Sequence, residues 1–275
     1  MSGGDNIQWI DSLDDVRVAS YRDLKDRELA ARCGLFIVEG QWGVGRLLAS
    51  GYTVESVLVT QRQLGQIVPL VPPGVDIYVA PAESVSRIVG FEFHCGVIAC
   101  GRRRPPLRLD QAAELWAGKD ELTLVVLPEV NSSENLGGLL RLSAGFGVDA
   151  VILGERCCDP FYRQAIRVSM GAVFHLNVVQ CTNIAGDLQR LRERHGVQLA
   201  AAVLDETAQP LEHATRPPRF ALLLGNEARG LCPEHINLCD RRVTIPMKLG
   251  TDSLNVTVAA GVFLYHFNQE KNKRG

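Results

Sequence analysis

Apolar and polar positions along the chain fall into two regimes with a short polar stretch between them. In the first, the apolar runs at residues 36–38, 54–60, 77–80 and 94–101 read as strands, and the amphipathic segments at 44–49 and 81–89 read as helices. Upstream, Val18, Tyr21, Leu24, Leu29 and Ala30 recur at helical spacing through residues 16–32, with Arg22, Lys25, Arg27 and Arg32 on the outer face. Such a face either grips phosphates or is simply solvated. At Gly101-Arg102-Arg103-Arg104-Pro105-Pro106 charge and proline replace the periodic pattern, and the three arginines are open to the same two readings. From Leu122 onward the strands become near-continuous apolar runs, at 122–127, 150–153, 197–204, 220–224 and 242–245. Runs of that kind, separated by helical stretches, belong to a parallel sheet covered on both faces. The expectation is an α/β chain with a domain at 1–104, a linker at 105–119 and a second domain at 120–275.

Composition narrows the function classes. Lys and Arg number 29 against 31 Asp and Glu, a net charge of −2, so a globally basic nucleic-acid coat is excluded and any polyanion must meet local patches. The apolar run at 122–127 stops at Pro128, and that at 256–267 contains Thr257 and His266. Neither approaches the ~20 residues that span a bilayer. The first residues are acidic and lack the basic-then-apolar order of a signal peptide, so a cytoplasmic protein is expected. None of the eight cysteines forms a C-x-x-C or pairs with a histidine at zinc-ligand spacing. They read as reduced thiols, mostly small buried apolar residues, the adjacent Cys157-Cys158 included. The six histidines do not cluster with carboxylates at catalytic spacing.

One glycine-rich stretch invites a nucleotide-loop reading and fails it. Residues 39–45, Glu-Gly-Gln-Trp-Gly-Val-Gly, follow a strand and open a helix, but Leu48 stands where a dinucleotide loop needs its third glycine. A P-loop would need Lys and Ser or Thr where Arg46 and Leu47 stand. Glycines of a tight turn are the favoured reading.

Three segments in the second half each place polar residues at the carboxyl end of an apolar strand, where open α/β sheets bind ligands. In the first, Asn135 suits the start of a helix that buries Leu136, Leu139 and Leu140 and carries Arg141 in its second turn. The alternative reading is simple capping, with Arg141 pointing into solvent. The second is Gly225-Asn226-Glu227-Ala228-Arg229-Gly230-Leu231 after a buried strand. The third runs from Ile245-Pro246-Met247 to Ser253-Leu254-Asn255-Val256-Thr257-Val258-Ala259, where Ser253 suits the cap of a long C-terminal helix and Asn255 is placed to reach the same crevice.

Together, and in this order, the three segments resemble the motifs of the SpoU/TrmH family of RNA ribose 2′-O-methyltransferases, in the SPOUT superfamily. The family's N-x-G-x-x-x-R-x-A is similar to Asn135 through Ser143, its G-N-E-x-x-G-L to Gly225 through Leu231, and its I-P-M…S-L-N-V-[ST]-V-A to Ile245 through Ala259. More weakly, Phe36-Ile-Val-Glu-Gly40 and Gly96-Val-Ile-Ala resemble that family's smaller N-terminal substrate-binding domain, an α/β fold like a ribosomal-protein RNA binder. The resemblance implies a trefoil-knotted domain with a parallel sheet, a homodimer with its site at the subunit interface, and S-adenosylmethionine as cosubstrate, with no metal. It implies that Gly225, Ile245, Leu254 and Ala202 hold that cosubstrate. Arg141 would bind the neighbouring phosphate or the developing alkoxide, with Asn135, Glu227, Ser253 and Asn255 positioning the reacting groups. Arg22, Lys25, Arg27, Arg102, Arg103 and Arg104 are the candidates for RNA contact, rRNA before tRNA. The chain departs from the pattern at Lys248-Leu249-Gly250, which shifts a glycine by one, at Ser143 in place of threonine or alanine, and at Cys95 in place of a glutamine. A non-catalytic RNA-binding or assembly factor that keeps the fold is the rival from another class. A small-molecule nucleotide enzyme is a third, and it predicts no salt-dependent RNA binding.

Overall fold

A computed structural model describes residues 6–12, 14–22, 33–90, 92–247 and 253–272. The chain divides into two compact units, Met1–Pro105 with Pro160–His175, and Pro106–Asp159 with Leu176–Gly275.

The first unit is built on a five-stranded sheet of β1 (Ile7–Trp9), β2 (Leu35–Glu39), β3 (Val54–Thr60), β4 (Asp76–Ala80) and β5 (Val97–Arg102), in the order β1-β4-β3-β5-β2. The first three in that order are parallel, and β5 runs antiparallel to both β3 and β2. β1 has no counterpart among the expected strands, since three residues with no fully buried position carry no periodic signal. Gly40, at φ +81°, turns the chain from β2 into the helix Gln41–Leu48, which is the tight-turn role read from the glycine-rich stretch. Gly101 is required for a different reason: a Cβ there would lie 2.4 Å from Phe36 Cζ, inside a ring cluster that Phe36 forms with Tyr52, Phe161 and Phe174.

Two expectations change here. The basic-faced helix over 16–32 appears as a 3-10 helix at Val16–Tyr21 that buries Val18 and Tyr21, and residues 23–32, with Lys25 and Arg27, lie outside the described residues. Residues 160–175, expected within the second domain, group with the first unit. Phe161 and Phe174 complete the aromatic cluster around Phe36, Arg163 pairs with the buried Glu39, and Arg46 Nη1 donates to the Met170 carbonyl at 2.7 Å.

The second unit holds a seven-stranded sheet of β6 (Leu122–Leu127), β7 (Ala150–Leu153), β8 (Val178–Gln180), β9 (Gln198–Ala202), β10 (Gln209–Pro210), β11 (Arg219–Leu223) and β12 (Arg241–Thr244). Its order is β10-β12-β9-β11-β6-β7-β8, and every neighbouring pair is parallel, as the continuous apolar runs require. The two strands that escaped sequence reading, β8 and β10, are short edge strands. Residues 105–119, expected as a linker, carry the helix Leu109–Leu115, started by a hydrogen bond from Arg108 N to Gln111 Oε1 of 2.9 Å. Leu109, Ala112 and Trp116 are buried in the core of this unit with Leu122, Leu124 and Leu188. Flanking arginines and prolines hide so short an apolar face in the sequence. Because the strands are parallel, β6, β9, β11 and β12 deliver their carboxyl ends to one edge of the sheet.

Candidate active site

At the carboxyl end of β6 the chain passes through Pro128 and Glu129 into the helix Ser133–Gly145. Ser132, not Asn135, is the cap: its Oγ accepts from Asn135 N at 3.3 Å, which places Asn135 in the first turn with its side chain free for other work. Leu136, Leu139 and Leu140 are buried as expected. The third motif is corrected in the same way. The helix begins at Val256, and Asn255 rather than Ser253 supplies the cap, its Oδ1 accepting from Thr257 N at 2.8 Å.

Asn135 joins all three motifs. Its Nδ2 donates to Glu227 Oε1 at 2.9 Å, its Oδ1 accepts from Asn255 Nδ2 at 3.0 Å, and its backbone oxygen accepts from Thr257 Oγ1 at 3.4 Å. The orientation of both amides is determined by the ends of this chain. A carboxylate only accepts and a backbone N–H only donates, so each amide has one arrangement that satisfies both neighbours. Gly138 lets the two helices come close enough for this, since a Cβ there would sit 2.6 Å from Thr257 Cγ2.

Glu227 rides on a tight turn. Asn226 and Gly230 exchange backbone hydrogen bonds of 3.0 and 2.8 Å, and Asn226 Oδ1 accepts from Ala228 N at 2.9 Å. Gly230 takes φ +67°, and a Cβ on Gly225 would lie 2.2 Å from the Gly230 carbonyl carbon. Both glycines are thus demanded by the turn itself.

Sequence reading passed over Glu129, which is the hub beneath this turn. Its carboxylate accepts from Asn131 Nδ2 at 3.2 Å and from Asn226 Nδ2 at 3.4 Å, pairs with Arg156 at 3.2 Å, and also pairs with Arg229. Partial burial pushes its pKa up, but the Asn131 hydrogen bond and the charges of Arg156 and Arg229 outweigh that and hold it below the ordinary carboxylate range. The one sequence signal was a carboxylate at a strand's carboxyl end, which reads first as a turn.

A cleft of about 650 Å³ opens beside the network. Ala202, Gly225, Ile245 and Leu254 all line it, as do Glu227 and Ser253. Arg141 stands apart. It is exposed, and among the described residues no hydrogen bond or ion pair is formed by its side chain. Six residues from Asn135 is about 120° around a helix, so the two side chains leave it in different directions.

In the first unit, the four basic candidates among the described residues have protein partners. Arg22 Nη2 donates to the Asp15 carbonyl at 2.6 Å, Arg102 pairs with Glu55 at 2.7 Å, Arg103 Nε donates to the Leu35 carbonyl at 3.0 Å, and the Arg104 guanidinium lies 4.1 Å from the Tyr52 ring centre. Cys157 and Cys158 are free thiols. Cys157 donates to the Leu127 carbonyl, and burial pushes its pKa up to about 12. Of the eight cysteines Cys100 and Cys181 are buried, whereas Cys33 and Cys95 are exposed.

A parallel-sheet edge with three polar motifs converging on one asparagine defines the class, an α/β methyltransferase. The family model described as SpoU rRNA methylase matches residues 122–265, and the chain belongs to that family. It is 38% identical to an uncharacterized tRNA/rRNA methyltransferase of Mycobacterium bovis, over 95% of this chain and 92% of the relative. It is 32% identical to the 23S rRNA (guanosine-2′-O-)-methyltransferase RlmB of Acinetobacter baylyi, over 74% of this chain and 83% of the relative. Its fold is that of the AdoMet-bound rRNA methyltransferase of Sinorhizobium meliloti, with a TM-score of 0.80 at 24% identity over 95% of this chain and 97% of that one.

Proposed function

We propose that this chain transfers a methyl group from S-adenosylmethionine to a ribose 2′-hydroxyl of structured RNA, rRNA in preference to tRNA. The observation that carries this reading is the convergence of Glu227, Asn135 and Asn255 on one hydrogen-bonded chain beside the cleft that Ala202, Gly225, Ile245 and Leu254 line. The residues present fit the cosubstrate: Leu224, Ile245, Leu254 and Phe263 offer an apolar wall for adenosine, and the rim carries charged groups for the rest of the molecule. When bound, it supplies a sulfonium-activated methyl, for which no metal is needed.

The protein's own contribution is positioning and charge. A ribose hydroxyl is a poor nucleophile that must shed its proton as it attacks. A guanidinium is a planar cation with donors and no acceptor, so Arg141 acts on the developing alkoxide or the adjacent phosphate as an electrostatic partner rather than as a base. Asn135, Glu227, Ser253 and Asn255 orient the ribose and phosphate toward the methyl. With Arg141 directed away from its own network, this reading goes with a homodimer whose site lies at the subunit interface. Val258, Val262 and Tyr265 support it, because they leave 53, 40 and 59% of their surface exposed at i, i+4 and i+7 along the C-terminal helix. The reading also carries the family's trefoil knot for the second unit and an RNA-recognition role for a separate N-terminal domain, at 1–104 by sequence, in a cytoplasmic protein.

The test is transfer of labelled methyl to total rRNA and tRNA, followed by mapping of ribose methylation in RNA from cells with and without the protein. One rRNA ribose that loses its methyl is the expected result. Cosubstrate binding without transfer to any RNA would leave the chain a non-catalytic RNA-binding factor.

A further inference from the structure

Among the described residues, four charged side chains line the cleft: Asp205, Glu227, Arg229 and Arg242. Two of them are committed elsewhere, Glu227 to Asn135 and Arg229 to Glu129. The other two face each other. Asp205 Oδ1 accepts from Thr207 N at 2.8 Å and from Thr207 Oγ1 at 2.7 Å, which fixes the carboxylate in place. Its Oδ2 is directed at Arg242 Nη1 across 3.8 Å. That separation is too long for a hydrogen bond, so each group keeps its capacity toward a ligand. Both side chains are partly solvated, Asp205 at 32% and Arg242 at 50% exposure, so neither needs the other to offset a deep burial.

A fixed carboxylate and a guanidinium a few ångströms apart are the complement of an α-amino acid zwitterion, whose ammonium donates to the one and whose carboxylate accepts from the other. We propose that Asp205 and Arg242 form the subsite for the amino-acid end of the methyl donor, Asp205 taking its α-ammonium and Arg242 its α-carboxylate. This rests on the reading that the cleft takes S-adenosylmethionine. It assigns the polar rim a task distinct from that of the apolar wall, which meets the adenosine. The subsite also discriminates: a nucleoside with the same base and sugar and no amino acid meets an ion pair that it cannot complete.

Calorimetry on the full chain separates the two ends of the ligand. Wild-type protein is titrated with S-adenosylhomocysteine, with methylthioadenosine, which lacks the amino acid, and with adenosylthiopropylamine, which keeps the ammonium and lacks the carboxylate. Asp205→Asn is expected to weaken S-adenosylhomocysteine and adenosylthiopropylamine roughly 10- to 100-fold, the effect of one charge-assisted hydrogen bond, and to leave methylthioadenosine within about twofold. Arg242→Gln is expected to weaken S-adenosylhomocysteine alone. Unchanged methylthioadenosine affinity also certifies that each variant is folded. Equal loss of all three ligands, as a ribose contact by Asp205 would produce, overturns the assignment, and so does an unchanged affinity for S-adenosylhomocysteine. If the wild-type chain binds methylthioadenosine as tightly as S-adenosylhomocysteine, the subsite is refuted while the methyl-donor reading stands. If it binds none of the three, that reading fails and the subsite with it.

Discussion

Asn135 and Glu227, 92 residues apart in the chain, are held together by a single hydrogen bond of 2.9 Å. The bond ties the helix after β6 to the turn after β11, so it fixes two strand ends relative to each other at the mouth of the cleft. If its role is to orient the reacting ribose, its loss acts on the rate more than on stability. Glu227→Ala and Asn135→Ala are each expected to lower kcat about 10- to 100-fold, the cost of a misplaced reactant. Because Glu227 is exposed, its melting temperature should barely move. The double variant should be little worse than the poorer single one, since each change breaks the same bond. Single-turnover methyl transfer in a double-mutant cycle checks this, and strictly additive losses would show that the two residues act separately.

Arg141 presents the opposite case, an exposed guanidinium on a helix whose other side is core. Nothing in its own chain's described residues uses it, so removing it should leave folding intact. Arg141→Ala is expected to cost about 10²- to 10³-fold in kcat, as for loss of one transition-state donor. Arg141→Lys should recover part of this, since lysine keeps the charge but not the planar fork. Cosubstrate affinity measured by calorimetry should be unchanged in both. An alanine variant with wild-type kcat would remove Arg141 from the mechanism.

The same contrast explains what sequence reading reached. Each motif was legible because it combines local signals: an apolar run, a turn glycine, and a helix start with its buried leucines at 136, 139 and 140. Contacts between motifs were not, because no spacing rule relates Asn135 to Asn255 or Glu227. Cap assignments slipped for a related reason. Ser132 and Asn255 lie within three residues of Asn135 and Ser253, all four can cap, and which one does depends on where tertiary packing starts the helix. The helix Leu109–Leu115 was missed because its buried face amounts to little more than Leu109, Ala112 and Trp116 amid charged neighbours. Residues 160–175 were assigned by continuity, whereas aromatic packing around Phe36 decides their place.

Glu129 makes a prediction in pH. Its carboxyl is held below its ordinary value of 4.5, so in the acid range the unfolded chain binds the proton first. The stability it contributes is therefore complete above that value and is lost as pH falls through its folded pKa. Glu129→Gln should destabilise the protein near neutrality, and the difference from wild type should shrink as pH drops below about 4.5. Denaturant melts at several pH values measure this. A difference that stays constant with pH would mean that the side chain acts through packing and not through its charge.

The apolar stripe of Val258, Val262 and Tyr265 and the orientation of Arg141 bear on one proposal, so they are best tested together. If the stripe packs against a second copy, Val262→Glu places a charge in that interface, and sedimentation should show a shift from dimer to monomer. Loss of the dimer should lower methyl transfer even though Val262 lies outside both the hydrogen-bonded network and the cleft lining. The stronger form of the test leaves the interface intact. Arg141→Ala and Asn135→Ala proteins, each well below wild-type activity, are mixed, dissociated and allowed to reassociate. If Arg141 of one subunit serves the network of the other, the mixed dimer contains one site with both residues whole, and activity returns that neither parent possesses. If Arg141 instead swings back to its own network, the mixed dimer again holds one defective residue in each site, and the mixture stays as inactive as its parents. Recovery would therefore place the arginine across the interface, and its absence in a mixture proven to contain mixed dimers would return it to its own subunit.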